Sequence, residues 1–584
     1  MKRIIYFLVL ALAISYYQCG SPNKSTEDNV VTVRLATDAD RLNPPLTVSN
    51  STLQILNNIF MPLQDFDPES LELKPVLAKT RPVIANIDSG EYKGGMSFTF
   101  EILEDAVWDN GKPVTADDYI FTLKTVLNPA VPATAWRSVI DFIRDVEKDP
   151  SNPRKFTVFS NQRYILAEEG CSNFRIMPEY QYDPKGILRN FTLKDLANAE
   201  KAAQLVTSDA RLQEFAAAFT DPKFSQDPAF ITGCGAYKLQ SWTKDQELVL
   251  VKKDNWWGDA YAEKNPMLAA YPVKITYTVI ANPATAIEVL KGGKADVMSL
   301  IPPQQFNELK KETDFASKFE FHTPDFQGFG YIGFNCKRAA LSDKKVRRAL
   351  AHLTNIEEII QSVMYGLAKP TVGPFHVARD YYNKSLAPIN YDTEKAKSLL
   401  TEAGWADSDK NGVLDKMIDG KKTELKLDLV VAANNTVGIS IAKLLQESAQ
   451  KVGVTINVLT TEAKVMMTEN MPKRQFDLLM ATAAVVNGND DPKQFWHTTS
   501  DTPDGNNRFG FGNAESDALI DQIRVTLDKK QRDALYLKFQ EIVYDEQPAI
   551  FLFCPKERIV IAKKFDAKTY FKRPGYFENM FTVK

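Results

Sequence analysis

A strand–helix–strand pattern in the second half of the chain is the feature that most limits the fold. Alternating apolar residues over 425–431 predict a half-buried strand, and Val454, Ile456 and Val458 predict another. Between them lie a polar turn at 434–436 and a helical apolar pattern over 439–452. Because a helical crossover joins parallel strands, this unit predicts parallel pairing and an α/β fold class.

The N-terminus has the features of an export signal. Lys2 and Arg3 precede an unbroken apolar run over residues 4–14. Such a run suits a signal peptide but is too short to span a membrane, which takes roughly 20 apolar residues. We therefore predict a signal peptide over 1–18 and a polar tether over 19–29.

Cys19 stands where the apolar region gives way to the polar tether. This arrangement resembles a bacterial lipoprotein signal, in which the first mature residue is a lipidated cysteine. The usual leucine three residues earlier is Tyr16 here, and the usual small residue directly before the cysteine is Gln18. We predict lipidation of Cys19 and membrane attachment through that lipid. The alternative is an ordinary cleaved signal with Cys19 incidental.

Composition and motifs argue against nucleic acid and against catalysis. The 584 residues carry a formal net charge of −3 without a run of like charges, so we predict no nucleic-acid partner. No phosphate-binding loop, nucleophile elbow or zinc motif occurs, and we predict neither a cofactor nor an enzyme. An exported hydrolase and a structural lipoprotein remain as alternatives. The histidines, without metal-ligand spacing, are His322, His352, His376 and His497. The cysteines, which could form disulfides or remain free buried thiols, are Cys171, Cys234, Cys336 and Cys554.

One loop has the character of a metal site. Residues 407–415 match the first half of an EF-hand loop, with oxygen ligands at alternate positions before a glycine. The bidentate glutamate of an EF-hand is replaced by Ile418. The loop is therefore either an Asp/Asn/Gly surface turn or a weak calcium site. The ligands of such a site would be Asp407, Asp409, Asn411 and Asp415.

Seven segments, in order, resemble the family 5 extracellular solute-binding proteins, which are the oligopeptide-, dipeptide- and nickel-binding components of ABC importers. Cys234 and Ala236 depart from the family pattern, and each segment also has a purely structural interpretation, such as a turn beside a buried Trp108. The segments are 98–103, 107–118, 233–239, 254–258, 287–296, 343–350 and 395–405.

The resemblance implies a two-lobe, periplasmic-binding-protein-like fold of the large class II or cluster C type, with an inserted subdomain. Lobe I would comprise 30–68, 196–326 and 551–584, with a helical insertion over 193–226. The inserted subdomain would comprise 69–195, and lobe II 327–550. The chain would cross between the lobes near 330–335 and 551–560.

The resemblance also indicates which residues would bind the ligand. In peptide-binding members, a lobe II aspartate before an acidic-Pro pair holds the α-ammonium of the ligand. Here Asp491-Pro492 supplies the pair, but the aspartate position falls near Gly488 and Val485 stands near an expected tryptophan. Either Asp490 takes that role, or the ligand has no free α-amine. The candidate ligand-binding residues are Phe60, Met61, Trp136, Ser299, Asn487 and Asp490.

These features together predict the solute-binding component of an ABC importer on the periplasmic side of the cell envelope. It would act as a monomer and capture an oligopeptide or peptide-like solute between two hinged lobes. An ABC transporter permease would be its partner. The alternative ligand is a non-peptide solute, such as a metal chelate or a sugar.

Overall fold

The computed structural model describes residues 29–503 and 505–584. The predicted signal peptide, nearly all of the tether and the predicted lipidation site Cys19 lie outside these residues. Within them, no helix combines the length with the apolar character that a bilayer crossing requires.

The larger of the two main sheets forms the core of lobe I and has seven strands. Strand Val30–Leu35 runs parallel to Lys274–Val279, with Val31 opposite Ile275. Val31 and Val33 are fully buried in this strand. In order across the sheet, the strands are Phe319–His322, Ile559–Ala562, Val297–Met298, Val30–Leu35, Lys274–Val279, Glu247–Lys252 and Tyr237–Thr243.

The other main sheet forms the core of lobe II and has six strands. Strands Lys426–Ala432 and Thr455–Thr461 are parallel neighbours, and helix Thr436–Gln450 joins them. The predicted strand–helix–strand unit is therefore confirmed, and with it the α/β class. In order, the strands are Ala368–Pro370, Ala549–Pro555, Gly328–Phe334, Leu478–Ala484, Lys426–Ala432 and Thr455–Thr461.

A four-stranded antiparallel sheet marks the inserted subdomain, and the segment around Trp108 directly precedes the first helix of that subdomain. The indole Nε1 of Trp108 donates to Asp118 Oδ2 at 3.2 Å, and Thr115 and Asp118 form a capping box for helix Ala116–Leu127. Burial raises the pKa of Asp118 to about 6. This segment thus stabilises the start of a helix. In order, the strands are Val83–Asn86, Met96–Glu101, Lys155–Ser160 and Ile143–Lys148.

Helices cover the sheets of both lobes and the subdomain. The two-stranded sheets are Asp415–Ile418 with Lys421–Glu424, Gln64–Phe66 with Leu73–Pro75, and Phe565–Asp566 with Thr582–Val583. Besides those already given, the longer helices are Asn50–Ile59, Thr134–Val139, Ala167–Ser172, Ala199–Ser208, Ala210–Phe219, Pro283–Lys291, Pro303–Leu309, Thr313–Lys318, Lys344–His352, Thr393–Glu402, Ala514–Val525 and Lys529–Glu546.

The helical insertion packs on the inserted subdomain. The ring of Phe215 meets that of Phe121 edge-on at 6.1 Å between centroids. Asn128, at the end of helix Ala116–Leu127, donates from Nδ2 to the carbonyl oxygen of Leu212 at 3.0 Å. The insertion is thus joined to the subdomain by apolar and polar contacts.

The chain passes between the two main sheets at residues 323–327 and 556–558. The first crossing lies earlier than the sequence indicates, because strand Gly328–Phe334 already belongs wholly to the six-stranded sheet. The two crossings pair with each other through a bridge between Asp325 and Lys556, whose side chains also form a 2.7 Å ion pair. Two adjacent connections of this kind are the usual arrangement of a hinge.

The family-like segment at 233–239 is explained by close backbone packing. A Cβ atom on Gly233 would lie 2.0 Å from the carbonyl oxygen of Ile59, and one on Gly235 would lie 2.6 Å from that of Asn58. Gly235 also donates its backbone N–H to Ile59 at 2.8 Å. Only glycine fits where this segment meets the helix Asn50–Ile59.

Candidate functional site

A cavity of about 530 Å³ lies between the lobes. This volume is within the range of about 300–1,000 Å³ that is usual for small-molecule sites. Lobe I, the inserted subdomain, lobe II and the C-terminal segment all contribute to its wall. The lining residues are Arg34, Leu35, Ala36, Thr37, Asn50, Ser51, Leu53, Gln54, Asn57, Asp65, Trp136, Asn173, Arg175, Ser299, Leu300, Gln327, Ala484, Val485, Asn487, Glu557, Lys572, Arg573, Pro574 and Tyr576.

Strand order explains why the cavity lies at this edge of lobe I. Val30–Leu35 and Val297–Met298 are parallel neighbours, so their carboxyl ends meet at the same edge of the sheet. Thr37 and Ser299, which follow those strands, both line the cavity. Ligands in α/β folds commonly bind in a crevice at the carboxyl ends of strands.

Three of the predicted ligand-binding residues line the cavity. Trp136 is half-buried, and its indole Nε1 donates to the carbonyl oxygen of Thr47 at 3.0 Å. Ser299 lies at the lobe I edge just described. Asn487 enters from lobe II, where its Oδ1 accepts a 2.7 Å hydrogen bond from Gln327 Nε2. The structure therefore brings these three residues together.

Phe60 and Met61 do not line the cavity. Phe60 has no exposed surface, Met61 is 5% exposed, and both belong to the apolar core of lobe I. They follow the helix Asn50–Ile59, whose other positions supply the wall through Leu53, Gln54 and Asn57. The sequence thus indicated the right region of the chain, but the burial of these two apolar side chains in the core keeps them from a ligand.

Asp490 also lies off the cavity wall, because its carboxylate already has partners. Arg379 forms a 3.1 Å ion pair with Asp490, and the hydroxyl of Tyr381 donates to the same carboxylate. The next residue, Asp491, accepts hydrogen bonds from Tyr164 and Arg524, both at 2.8 Å. Neither aspartate is positioned to receive the ammonium group of a ligand.

Basic groups outnumber acidic groups on the cavity wall, with four against two. Asp65 is paired with Lys572 at 2.8 Å, and buried Arg34 donates to the carbonyl oxygens of Ile280 and Ala281. The remaining charged residues are Arg175, Arg573 and Glu557.

Arg175 has no carboxylate partner among the described residues. One Nη group donates to Asn57 Oδ1, whereas the buried Nε finds no hydrogen-bond acceptor in the part of the chain that the structure describes. Burial lowers the pKa of Arg175 to about 10, with Asp65 opposing the shift. A guanidinium group in such surroundings is suited to bind a carboxylate with two hydrogen bonds. The only sign of this residue in the sequence is an arginine within the otherwise apolar stretch 174–177.

The two sides of the cavity are in contact, so this is a closed arrangement. Gly488 of lobe II packs so tightly on the inserted subdomain that a Cβ atom there would lie 2.5 Å from Glu169 Oε2. Tyr164 of the subdomain donates to Asp491 of lobe II. Burial raises the pKa of Glu169 to about 7, although nearby Arg379 opposes the shift.

The acidic loop at 407–415 holds a lysine among its carboxylates. Oxygen atoms of Asp407, Asp409 and Asp415 lie within 4.8 Å of one another. The ammonium group of Lys422 lies 2.7 Å from Asp409 and 3.4 Å from Asp415. In addition, Asn411 donates its side-chain amide to Glu424 at 2.8 Å. The loop is therefore satisfied as a surface turn by its own contacts.

The cysteines and histidines form no further site in the described part of the chain. All four described cysteines are free thiols, and burial raises the pKa of Cys234 and Cys554 to about 12. His376 is fully buried, and burial lowers its pKa to about 4. Cys234, Cys554 and His376 are therefore uncharged core residues at neutral pH.

Comparison with known proteins gives consistent similarities over most of the chain. The model of the family described as bacterial extracellular solute-binding proteins, family 5 middle, matches residues 72–507. Oligopeptide-binding protein AppA of Bacillus subtilis is 26% identical over 488 residues, which are 82% of this chain and 79% of AppA.

Solved structures agree on the fold. The structure of B. subtilis AppA in complex with a nonapeptide has a TM-score of 0.72 at 22% identity, covering 95% of this chain and 99% of that one. NikA of Brucella suis in complex with Fe(III)-EDTA has a TM-score of 0.75 at 20% identity, covering 95% of this chain and all of that one. The two-lobe architecture is thus confirmed.

Proposed function

Because the chain belongs to the bacterial extracellular solute-binding proteins of family 5, we propose that it captures a small peptide or peptide-like solute between its lobes for an ABC importer. The observation that carries this proposal is the 530 Å³ cavity, whose wall combines lobe I, lobe II and the inserted subdomain. A solute held there contacts both sides at once and stabilises the closed arrangement.

The proposed solute bears a carboxylate. Arg175 lines the cavity and has no carboxylate partner within residues 29–503 and 505–584, and the wall as a whole has an excess of basic groups. A buried guanidinium group is stabilised when an anion supplies the missing acceptors. A peptide C-terminus meets this requirement. A carboxylate-rich metal chelate meets it as well, and it is the second candidate because the same arginine would bind it.

We further propose a division of the chain close to the one that the sequence indicates, with lobe I at 30–68, 196–326 and 556–584, the inserted subdomain at 69–195, and lobe II at 327–555. The last boundary moves from 550 to 555 because strand Ala549–Pro555 belongs to the six-stranded sheet of lobe II. The protein would act as a monomer, attached by a lipid on Cys19, on the periplasmic side of the envelope. Its macromolecular partner would be the permease of the importer.

Mass spectrometry of the small molecules released when the purified protein is denatured tests the proposed function. A Ser299→Trp variant is the matched control, since it fills the cavity from a half-buried position on its wall. We expect a carboxylate-bearing solute from the wild type and none from the variant, with both folded by circular dichroism. Release of the same molecule from both proteins would place binding elsewhere.

A further inference from the structure

Glu557 is a buried acid on the cavity wall that the site described above leaves without a role. It is 3% exposed, and it lies in the crossing at 556–558 that connects lobe II to lobe I. Its backbone N–H donates to the carbonyl oxygen of Pro324 in the other crossing at 2.8 Å. Its backbone is therefore fixed at the hinge, and its side chain faces the region where a solute binds.

The carboxylate of Glu557 has no hydrogen-bond donor or ion-pair partner within residues 29–503 and 505–584, and its Oε2 is fully buried. The charges of Arg573 and Arg558 favour the ionised form of Glu557, but the direct contacts of these groups are with other residues. Arg558 donates to the carbonyl oxygens of Ile301 and Lys556, and Lys556 pairs with Asp325. Arg573 lies over the ring of Phe326 at 4.9 Å.

An unpaired acid in such a position destabilises the ligand-free protein, because burial penalises the charged carboxylate. Burial accordingly raises the pKa of Glu557. A structural acid at a hinge would be expected to bind donors across the crossings, as Asp325 does with Lys369 and Lys556. Glu557 makes no such contact with the residues that the structure describes, so a bound solute is suited to supply its partner.

We propose that Glu557 binds the primary ammonium group of the solute, at the hinge end of the cavity. This inference rests on the proposed function and deepens it, because it makes the solute zwitterionic. Arg175 takes the carboxylate and Glu557 takes the ammonium. The position near Gly488, where related peptide binders have an aspartate, is then not needed. The ion pair forms at the segment that joins the lobes, so it directly stabilises the hinge in its closed geometry.

Calorimetry with trialanine and N-acetyl-trialanine tests this assignment on the wild type, Glu557→Gln and Glu179→Gln. Glutamine has the shape of glutamate but no charge. The control Glu179→Gln removes another buried acid, which pairs with Arg189 on the inserted subdomain and does not line the cavity. We expect the wild type and the control to bind free trialanine at least tenfold more tightly than the acetylated form. In Glu557→Gln this preference disappears, while the melting temperature is unchanged or higher.

Each other outcome has a distinct meaning. Equal affinities of the two peptides for the wild type would overturn the ammonium site and leave peptide capture intact. A preference that persists in Glu557→Gln would overturn the assignment to this residue. A large loss of melting temperature in Glu557→Gln would show a structural role and also overturn it. No binding of either peptide would overturn this assignment and the peptide as the proposed solute, and would leave the carboxylate-rich chelate as the remaining candidate.

Discussion

The carboxyl group of Glu169 lies where the inserted subdomain meets lobe II, and replacing it by glutamine changes how ligand affinity depends on pH. In the closed arrangement it faces Gly488, and the charged groups around it are Arg379, Asp490 and Asp65. When the lobes separate, Gly488 moves away and water reaches the carboxyl group. Its pKa then returns to the ordinary value of 4.5 from about 7 in the closed form.

The difference between these two pKa values gives the size of the effect. A carboxyl group whose pKa is higher in the closed form takes up a proton on closure, so closure is favoured at low pH and weakens as pH rises from 4.5 to 7. The total change is about 3 kcal/mol. Between pH 5 and pH 7, the affinity of a ligand that requires closure falls about 40-fold. Above pH 7 the affinity falls by only about another factor of two through this group.

Calorimetric titration of trialanine at pH 5, 6 and 7 measures this dependence. The range avoids the α-ammonium of the peptide, whose pKa is about 8. Glu169→Gln should lose this fall in affinity from pH 5 to pH 7, and should bind on the order of 100-fold more tightly than the wild type at pH 7. The control is Glu168→Gln, which removes the adjacent acid that pairs with Arg81 at 2.6 Å, and it should keep the wild-type slope. An equal slope in wild type and Glu169→Gln would refute the reasoning.

Three further predictions concern residues away from the cavity. Asp490→Asn should lower the free energy of unfolding by roughly 3 kcal/mol, because it removes one partner of a buried ion pair. The ratio of affinities for free and acetylated trialanine should stay as in the wild type. A change in that ratio would return the ammonium site to Asp490. Gly233→Ala should lower the free energy of unfolding by about 3 kcal/mol in a denaturant titration, since its Cβ would meet a backbone oxygen of Ile59; unchanged stability would contradict that packing. Cys19→Ser should move the protein from the membrane fraction to the soluble fraction, and an unchanged distribution would exclude lipidation.

The fold could be predicted from the sequence because its signals are local. Alternation of apolar residues over 425–431 and a helical pattern over 439–452 define a crossover unit without any knowledge of distant contacts. The family-like segments are also local structural devices, such as the Trp108–Asp118 contact and the capping box. The sequence indicates the first crossing near 330–335, which is too late along the chain. The residue pattern of a fully buried strand such as Gly328–Phe334 does not reveal which of the two sheets the strand joins.

The site was only partly predictable, because it is assembled from distant segments. Trp136, Ser299 and Asn487 could be placed near the ligand by analogy with the fold, and they do line the cavity. Arg175 and Glu557 could not be found, since nothing in their neighbourhood shows that their charges lack partners in three dimensions. Asp490 was predicted to bind the ligand but does not line the cavity. The sequence does not reveal that its carboxylate already pairs with Arg379 and accepts a hydrogen bond from Tyr381.

The central claim is that the two lobes close on a small solute in the cavity between them. Small-angle X-ray scattering of the purified protein, first stripped of its solute and then resupplied with it, measures this closure directly. The account predicts a smaller radius of gyration with solute for the wild type, and no change for the cavity-filling Ser299→Trp variant. A solute that binds tightly to the wild type without reducing its radius of gyration would contradict the account.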